Sequence, residues 1–222
     1  MSSLKLAESF VSINGEGQQA GALALFLRFT GCNLKCDWCD TAWANEKGAP
    51  FELASISRLT GIARDAIEKY DLHCVTLTGG EPLLQEGIDE LILALTKLGL
   101  RVEIETNGSL DIRPFMEKCR PVFTVDYKLP SSRMERHMFT ENIPLLKEWD
   151  TLKFVCGSRQ DLYRAAEVIE EYKPLCTVLL SPVFGRIEPA EIVEFMKEKR
   201  LGKARLQLQL HKLIWSPDER GV

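Results

Sequence analysis

Hydrophobic and polar positions follow two different periods along this chain, and segments of the two kinds alternate. Short apolar runs rich in Val, Leu, Ile and Thr predict strands, and the longer segments between them carry apolar residues at helical spacing. The predicted strands cover residues 23–30, 74–78, 101–105, 122–126, 151–155, 176–180 and 204–209. The predicted helices cover residues 55–70, 83–98, 112–118, 140–148, 161–173 and 189–199.

This alternation predicts an α/β fold made of βαβ units around a parallel sheet. An open doubly wound sheet and a barrel are both compatible with the pattern. Six repeating units are too few for a complete eightfold barrel, so a partial (β/α)6 barrel with outer helices fits the count. No linker or low-complexity segment divides residues 1–222, and we expect a single domain.

Unusual polar residues follow several of the predicted strands. They lie at residues 78–82, 105–108, 126–128, 181–182 and 211–212. In either architecture the carboxyl ends of parallel strands meet at one rim, where α/β proteins place their sites. The sequence therefore predicts a functional site at this rim.

Composition excludes several classes of function. Charged residues make up 27% of the 222 residues, are mixed in sign and give a formal net charge of −4, which does not suit a nucleic-acid partner. No apolar run has the length of a membrane span, and the first residues show no signal-peptide pattern. We expect a cytoplasmic protein with reduced thiols and no membrane partner.

Three of the seven cysteines, Cys32, Cys36 and Cys39, lie within eight residues. Closely spaced thiolates can bind zinc or an iron–sulfur cluster. Structural zinc usually requires four protein ligands, and no second Cys or His pair follows this loop. A zinc knuckle and a chance grouping of buried cysteines remain alternatives, although the residues between the cysteines are polar.

Three thiolates on a four-iron cluster would leave one iron without a protein ligand. The amino and carboxylate groups of S-adenosylmethionine (SAM) can occupy such an iron. An electron from the cluster would then cleave the sulfonium to methionine and a 5′-deoxyadenosyl radical, so that the cofactor performs the difficult chemistry.

The spacing Cys-x-x-x-Cys-x-aromatic-Cys, completed here by Trp38, resembles the motif of the radical SAM superfamily. The turn Gly79-Gly80-Glu81-Pro82 strengthens the resemblance, since that superfamily places such a turn against the SAM amino group. Glycines allow a backbone to approach a ligand closely, and carbonyls or a carboxylate can accept from an ammonium. Taken alone, the same four residues would be an ordinary strand-to-helix turn.

Three further segments, residues 10–17, 39–41 and 207–222, resemble the 7-carboxy-7-deazaguanine synthase family, and the match runs nearly end to end. Members of that family convert 6-carboxy-5,6,7,8-tetrahydropterin to 7-carboxy-7-deazaguanine, a ring contraction with loss of ammonia on the route to queuosine. The resemblance implies a 4Fe-4S cluster, SAM and Mg²⁺ as cofactors. It also implies a homodimer and a separate electron donor such as a flavodoxin or ferredoxin.

The resemblance also assigns roles to individual residues. It implies that Cys32, Cys36 and Cys39 bind the 4Fe-4S cluster and that Thr41 binds Mg²⁺. The implied SAM contacts are Trp38, Cys39, Asp40, Gly80, Glu81, Asp126, Tyr127, Lys128, Ser181 and Pro182. The implied substrate contacts are Ile13, Asn14, Gly15, Glu16, Arg28, Thr78 and His211.

Each of these roles has an ordinary structural alternative. The Arg28 guanidinium suits the pterin carboxylate as a two-point fork, but an arginine in a surface ion pair would look the same. Glu16 suits the donor edge of a pterin, whereas Gly-Glu-Gly alone favours a solvated turn. Thr41 offers a hard oxygen to Mg²⁺ or a helix N-cap. An isolated His211 is more often structural.

Two departures from the family pattern and two rival functions complete the prediction. Asn14 stands where the family often has Gln, and the chain continues for eleven residues past His211 with a role that the sequence leaves open. A glycyl-radical activating enzyme would have the same cysteine spacing. An iron–sulfur electron carrier or a zinc-binding module would need the cysteines but not the Gly-Gly-Glu-Pro turn.

Overall fold

The computed structural model describes residues 3–217 and 219–222, and within them nine strands form one sheet. The strands are β1 (Ser3–Ile13), β2 (Leu23–Phe29), β3 (Glu52–Ser55), β4 (Cys74–Gly79), β5 (Arg101–Thr106), β6 (Val122–Tyr127), β7 (Thr151–Cys156), β8 (Thr177–Pro182) and β9 (Ala204–Leu206). The helices are α1 (Ala42–Asn45), α2 (Ile56–Tyr70), α3 (Ile88–Thr96), α4 (Arg113–Lys118), α5 (Arg159–Tyr172), α6 (Pro189–Glu198) and α7 (His211–Ile214).

The sheet is dominated by parallel pairs. Its order is β3-β1-β2-β4-β5-β6-β7-β8-β9, and every neighbouring pair from β2 to β9 is parallel. Strands β3 and β9 are the two edges, so the sheet does not close on itself. The predicted α/β fold, a partial barrel with outer helices, is confirmed.

The sequence pattern missed two strands, β1 and β3, which pair antiparallel at one side of the sheet. In β1 the pairing register shifts between Leu6 and Glu8, and this bulge breaks the period of two that predicts a strand. Beyond the bulge, Glu8 and Phe10 line a cavity and Val11 packs against the apolar core, so the second half of β1 has no strict polar–apolar alternation. Strand β3 has only four residues.

Three predicted elements differ from the structure. The helix predicted at 140–148 is a 3₁₀ helix, Thr140–Leu145, since Pro144 inside it cannot donate a backbone hydrogen bond. The helix predicted at 83–98 is split into a short 3₁₀ turn and α3, with Gly87 at a φ of 84° between them. The strand predicted at 204–209 stops at Leu206, and the chain then turns until the Leu210 amide donates to the Gly15 carbonyl at 3.0 Å.

One apolar cluster runs between the sheet and the outer helices. Fully buried residues on the helices, such as Leu59, Leu91 and Leu162, belong to the same cluster as Leu77 and Phe154 on the strands. This burial fixes the parallel strands, and their carboxyl ends open onto one shared space. Among the residues that the structure describes, no helix is long and apolar enough to cross a membrane.

Candidate active site

A cavity of about 580 Å³ lies at the carboxyl ends of the parallel strands. Most of the site residues predicted from the sequence line it. They are Ile13, Gly15, Glu16, Arg28, Cys32, Cys36, Trp38, Cys39, Asp40, Thr41, Thr78, Gly80, Asp126, Lys128 and His211. Asn14, Glu81, Tyr127, Ser181 and Pro182 do not line it, and all five are buried.

The three clustered cysteines lie on the cavity wall as free thiols. Cys32 Sγ accepts from the Leu34 amide at 3.4 Å and from Asn107 Nδ2 at 3.5 Å, and Cys39 Sγ lies 3.5 Å from the Thr41 hydroxyl. Burial raises the pKa of Cys36 to about 11 and also raises that of Cys32. These thiols therefore need a cationic partner to become thiolates, and iron supplies one.

Over residues 3–217 and 219–222, no three His, Cys, Asp or Glu side chains converge closely enough to hold a single metal ion. Three thiols that do not converge on one point suit a cluster, in which each thiolate binds a different iron, better than a mononuclear zinc ion. The donor set therefore fits a 4Fe-4S cluster.

Glu81 anchors the Gly-Gly-Glu-Pro turn from behind. Its fully buried carboxyl group accepts from the Leu83 amide at 3.0 Å, the Thr106 hydroxyl at 2.9 Å and the Asn107 amide at 2.7 Å. Burial raises the pKa of Glu81 to about 7 in spite of these donors. The carboxylate thus ties the β4 turn to the β5 turn, and Gly80, not Glu81, faces the cavity.

Gly80 has no room for a side chain. A Cβ built there would lie 2.0 Å from the Gly31 carbonyl oxygen and 2.2 Å from Asn45 Oδ1. The backbone of the turn is consequently packed against the start of the cysteine loop. This contact fixes the turn relative to the cysteines.

We therefore expect Gly80→Ala to displace the turn, weaken SAM binding at least about tenfold and destabilise the fold by about 1–3 kcal/mol. Titration with SAM and a thermal melt measure both effects. Gly61→Ala is the matched control, because nothing lies within 4 Å of a Cβ at that position of α2. It should leave SAM affinity unchanged, and equal affinity in both variants would contradict the packing argument.

A cationic and an anionic side chain meet where β6 ends. Lys128 Nζ lies 2.7 Å from Asp126 Oδ2 and 5.4 Å from the centre of the Trp38 ring. Asp126 Oδ1 and Asn45 Oδ1 are buried at the cavity, and neither has a hydrogen-bond partner among the described residues. Two such acceptors fit a ligand that carries hydroxyl and ammonium donors, as SAM does.

Tyr127 follows the alternation of β6 and points away from this cavity. Its hydroxyl donates to Glu135 Oε1 at 3.2 Å and accepts from Arg164 at 3.5 Å. The carboxylate of Glu135 lies 2.5 Å from the Arg164 Nε. Tyr127 therefore belongs to a polar cluster outside the wall.

Arg28 and its neighbours form one side of the cavity. Arg28 of β2 pairs in register with Glu8 of β1, and its Nε donates to Glu8 Oε1 at 2.7 Å. The Phe10 and Phe26 rings stack beside them with centroids 5.0 Å apart. The ion pair that the ordinary alternative predicted thus exists, but all four residues line the cavity.

Glu16 is held by two partners. Its Oε2 lies 3.2 Å from Lys153 Nζ, and its Oε1 lies 3.2 Å from the Ser181 hydroxyl. Burial and the Asp40 carboxylate would raise the pKa of Glu16, but the charge and hydrogen bond of Lys153, together with His211, lower it overall. Glu16 is therefore an ionised acceptor with a fixed orientation, and the solvated turn predicted as its alternative is not observed.

Gly15 and His211 pack directly together. A Cβ at Gly15 would lie 2.2 Å from His211 Nδ1, so the imidazole requires a glycine opposite it. Burial lowers the pKa of His211, which keeps the ring neutral at neutral pH. Asn14 lies below this pair, where it accepts from the Thr76 hydroxyl at 2.9 Å and donates towards Cys74 Sγ at 3.8 Å.

Thr41 occupies the N-cap position of α1 without capping it. Its hydroxyl makes no side-chain cap hydrogen bond and instead lies 3.3 Å from the Gly79 carbonyl oxygen. Asp40 beside it is exposed and lies 3.8 Å from Lys212 Nζ. The Thr41 oxygen thus faces the cavity with its lone pairs available.

Sequence reasoning missed several residues of the cavity wall, among them Glu8 and Lys153. It left open the role of the tail, of which residues 217 and 219–222 line the cavity. The sequence does mark Lys153 in one way, since it is the single charged residue inside the apolar run of β7. Glu105 is one of the polar residues 105–108 that the sequence predicted at the rim. Glu105 lines the cavity and accepts from the Thr78 hydroxyl at 2.7 Å, whereas Glu103 pairs with Arg101 at 2.7 Å.

A partial barrel with an open cavity, a three-cysteine loop and a glycine turn beside it defines a radical SAM protein. The family model of the radical SAM superfamily matches residues 26–198, so the chain belongs to this superfamily. A 7-carboxy-7-deazaguanine synthase of Clostridium acetobutylicum is 49% identical over 98% of this chain and 99% of its own length. A second, from Chlorobaculum tepidum, is 37% identical over 99% of this chain and 97% of its own.

The chain therefore belongs to the 7-carboxy-7-deazaguanine synthase family, as its motifs predicted. A solved structure of QueE from Escherichia coli has a TM-score of 0.72 at 23% identity and covers 93% of this chain, with 94% of its own length matched, which supports the fold. Membership makes the chain a radical SAM enzyme with a 4Fe-4S cluster and SAM as cofactors. It favours the synthase over the activating enzyme, the electron carrier and the zinc module.

Proposed function

We propose that this chain converts 6-carboxy-5,6,7,8-tetrahydropterin to 7-carboxy-7-deazaguanine with loss of ammonia. One observation supports this reaction best. A single cavity is lined both by the three cysteines and by Arg28 and Glu16. The residues that would hold the cofactors and the groups that suit a pterin thus line the same cavity.

In this proposal Cys32, Cys36 and Cys39 hold the cluster. The Gly80 backbone, Asp126, Lys128 and Trp38 hold SAM, and Asp40 lies beside them. When bound, the cluster and SAM supply the one-electron chemistry that removes a hydrogen atom from the substrate. The chain itself supplies binding, orientation and exclusion of water.

Arg28 binds the pterin carboxylate. Its Nε is engaged by Glu8, and a guanidinium has four further N–H donors, enough for a two-point contact with a carboxylate. Ionised Glu16 accepts from the amino group and ring N–H at the opposite edge of the pterin. Thr78, the backbone of Ile13 and Gly15, and the neutral His211 complete the contacts to the ring.

The predicted residues that do not line the cavity support those that do. Glu81 ties the Gly80 turn to β5, and the Ser181 hydroxyl contacts Glu16. Asn14 fixes the start of the loop that carries Glu16. Pro182 and Tyr127 end β8 and β6 behind the wall.

We further propose that Thr41 binds Mg²⁺. Mg²⁺ prefers hard oxygen ligands and retains water, so one hydroxyl together with substrate oxygens is a sufficient site. Thr41→Val should raise the Mg²⁺ concentration for half-maximal turnover by about tenfold or more, and Thr41→Ser should leave it near the wild-type value. A Mg²⁺ titration of the turnover rate measures this. An identical response in the Val variant would remove Thr41 from the magnesium site.

Four broader assignments belong to the same proposal. We infer that the enzyme is a single domain, since one sheet and one apolar cluster contain the described elements. Its seven free thiols suit the cytoplasm. The one-electron step requires a separate low-potential donor of the flavodoxin or ferredoxin class. We expect a homodimer, as in the family.

Anaerobic turnover tests the proposed function. The protein, reconstituted with iron and sulfide, is mixed with SAM, Mg²⁺, dithionite and the carboxypterin, and the products are analysed by mass spectrometry. We expect 7-carboxy-7-deazaguanine and ammonia in equal amounts. SAM cleavage without any deazaguanine would contradict the proposal and favour an activating enzyme that acts on a protein substrate.

A further inference from the structure

One buried cation in the cavity has no role in the assignments above. Lys153 lies within the apolar strand β7, and its side chain is 8% exposed. A buried lysine is costly unless it is paired. Burial alone would lower the pKa of Lys153, but Asp126, Glu16 and Glu105 outweigh burial and raise it, so the ammonium stays charged.

Lys153 lies between a proposed pterin contact, Glu16, and a proposed SAM contact, Asp126. Its Nζ lies 3.2 Å from Glu16 Oε2 and 3.9 Å from Asp126 Oδ2. Lys128, the other buried cation of the wall, is 2.7 Å from Asp126 and makes no contact with Glu16. Lys153 is therefore the ammonium that faces the proposed pterin acceptor.

We propose that Lys153 is a positioning residue that holds the Glu16 carboxylate ionised and oriented towards the donor edge of the pterin. The inference rests on the proposed function, since it assigns Lys153 a part in substrate binding. Lys153 fixes one oxygen of Glu16 and Ser181 fixes the other. Without the ammonium, the carboxyl group would be buried against weaker partners, so it would protonate or turn away.

The other charged groups around Glu16 do not replace Lys153. Asp40 on the cysteine loop is an anion and raises the pKa of Glu16. His211 on α7 lowers it when charged, but burial lowers the pKa of the imidazole itself, so the ring is neutral above about pH 7. Above that pH, Lys153 is the cation that keeps Glu16 ionised.

The test measures binding of 6-carboxy-5,6,7,8-tetrahydropterin to the anaerobic holoenzyme with SAM and without a reductant, by calorimetry between about pH 7 and pH 9. In the wild type Glu16 stays ionised over this range, so its titration should not change the affinity for the pterin. In Lys153→Met we expect affinity about tenfold or more weaker at the lower pH, recovering as pH rises through the raised pKa of Glu16. Glu105 on β5 is a second carboxyl group that Lys153 faces, and burial raises its pKa as well, so the Glu16→Gln background described below assigns the pH dependence to Glu16.

Three further variants make the test selective. Lys197→Met is the matched control, because Lys197 makes an exposed pair with Glu194 at 2.6 Å on α6, and it should bind like the wild type. Lys153→Arg should restore binding. Lys153→Gln keeps a donor without the charge, so it serves as a second neutral variant if the Met variant does not fold. It should show the same recovery with pH.

A double-mutant cycle then isolates the pair. If Lys153 acts through Glu16, adding Lys153→Met to Glu16→Gln should cause no further loss of affinity. Additive losses, or wild-type affinity with a flat pH response in both neutral variants, would overturn the inference. Failure of the wild-type holoenzyme to bind the carboxypterin would instead overturn the proposed function, so the two failures are distinguishable.

Discussion

Cys36→Ala should abolish SAM cleavage and deazaguanine formation together. Cys36 is one of three thiols that line the cavity. A cluster with only two cysteine ligands would be bound less firmly, and a second iron would be left without a protein ligand. We expect the variant to bind well under half of the iron and sulfide of the wild type. 5′-Deoxyadenosine should fall to the detection limit, a decrease of at least about a thousandfold.

Cys119→Ala is the matched control for this experiment. Like Cys36, Cys119 is half-buried, and burial raises its pKa to about 11. Its thiol donates to the Phe115 carbonyl at 3.3 Å, outside the cavity. The control should keep full iron content and turnover. A Cys36→Ala enzyme that still forms 5′-deoxyadenosine would show that the loop does not hold the cluster.

Arg28→Met should separate SAM cleavage from product formation. The substitution removes the proposed two-point contact with the pterin carboxylate and leaves Glu8, 22% exposed, without its cation. We expect kcat/KM for the pterin to fall about 100-fold, which corresponds to about 3 kcal/mol of lost transition-state stabilisation. The rate of SAM cleavage without substrate should change little, because Arg28 is not among the proposed cluster and SAM contacts.

Two variants control for loss of an ion pair in general. Arg58→Met breaks an exposed pair with Glu52 at 3.4 Å and should leave kcat/KM unchanged. Arg28→Lys keeps the charge but loses the fork, and we expect an intermediate value. If the Arg28→Met variant turned over the pterin at the wild-type rate, the only role of Arg28 would be its ion pair with Glu8.

The parallel strands were predictable because buried strands of a parallel sheet are continuous apolar runs. Strands such as β4 and β7 lie within about one residue of their predicted bounds. The cysteine loop and the glycine turn were predictable for another reason. Their chemistry depends on residue type at close spacing, and both are local in sequence.

Strand β1 was not predictable in the same way, since a bulge and a second half that mixes polar and apolar residues at the cavity hide its period of two. The hydrogen-bond and ion-pair partners of the site residues could not be predicted from the sequence either. Glu16 and Lys153 are 137 positions apart, and only the folded sheet brings them together. The sequence also did not show that Glu81 is a buried anchor of its turn, because the three groups that donate to its carboxyl group come from two different turns.

The central claim is that three thiolates hold a four-iron cluster whose remaining iron binds SAM inside this cavity. Electron paramagnetic resonance of the anaerobically reconstituted, dithionite-reduced protein tests it directly. We expect the spectrum of a reduced 4Fe-4S cluster that changes when SAM is added. A protein that assembles no such cluster, or a cluster spectrum that SAM leaves unchanged, would contradict the account.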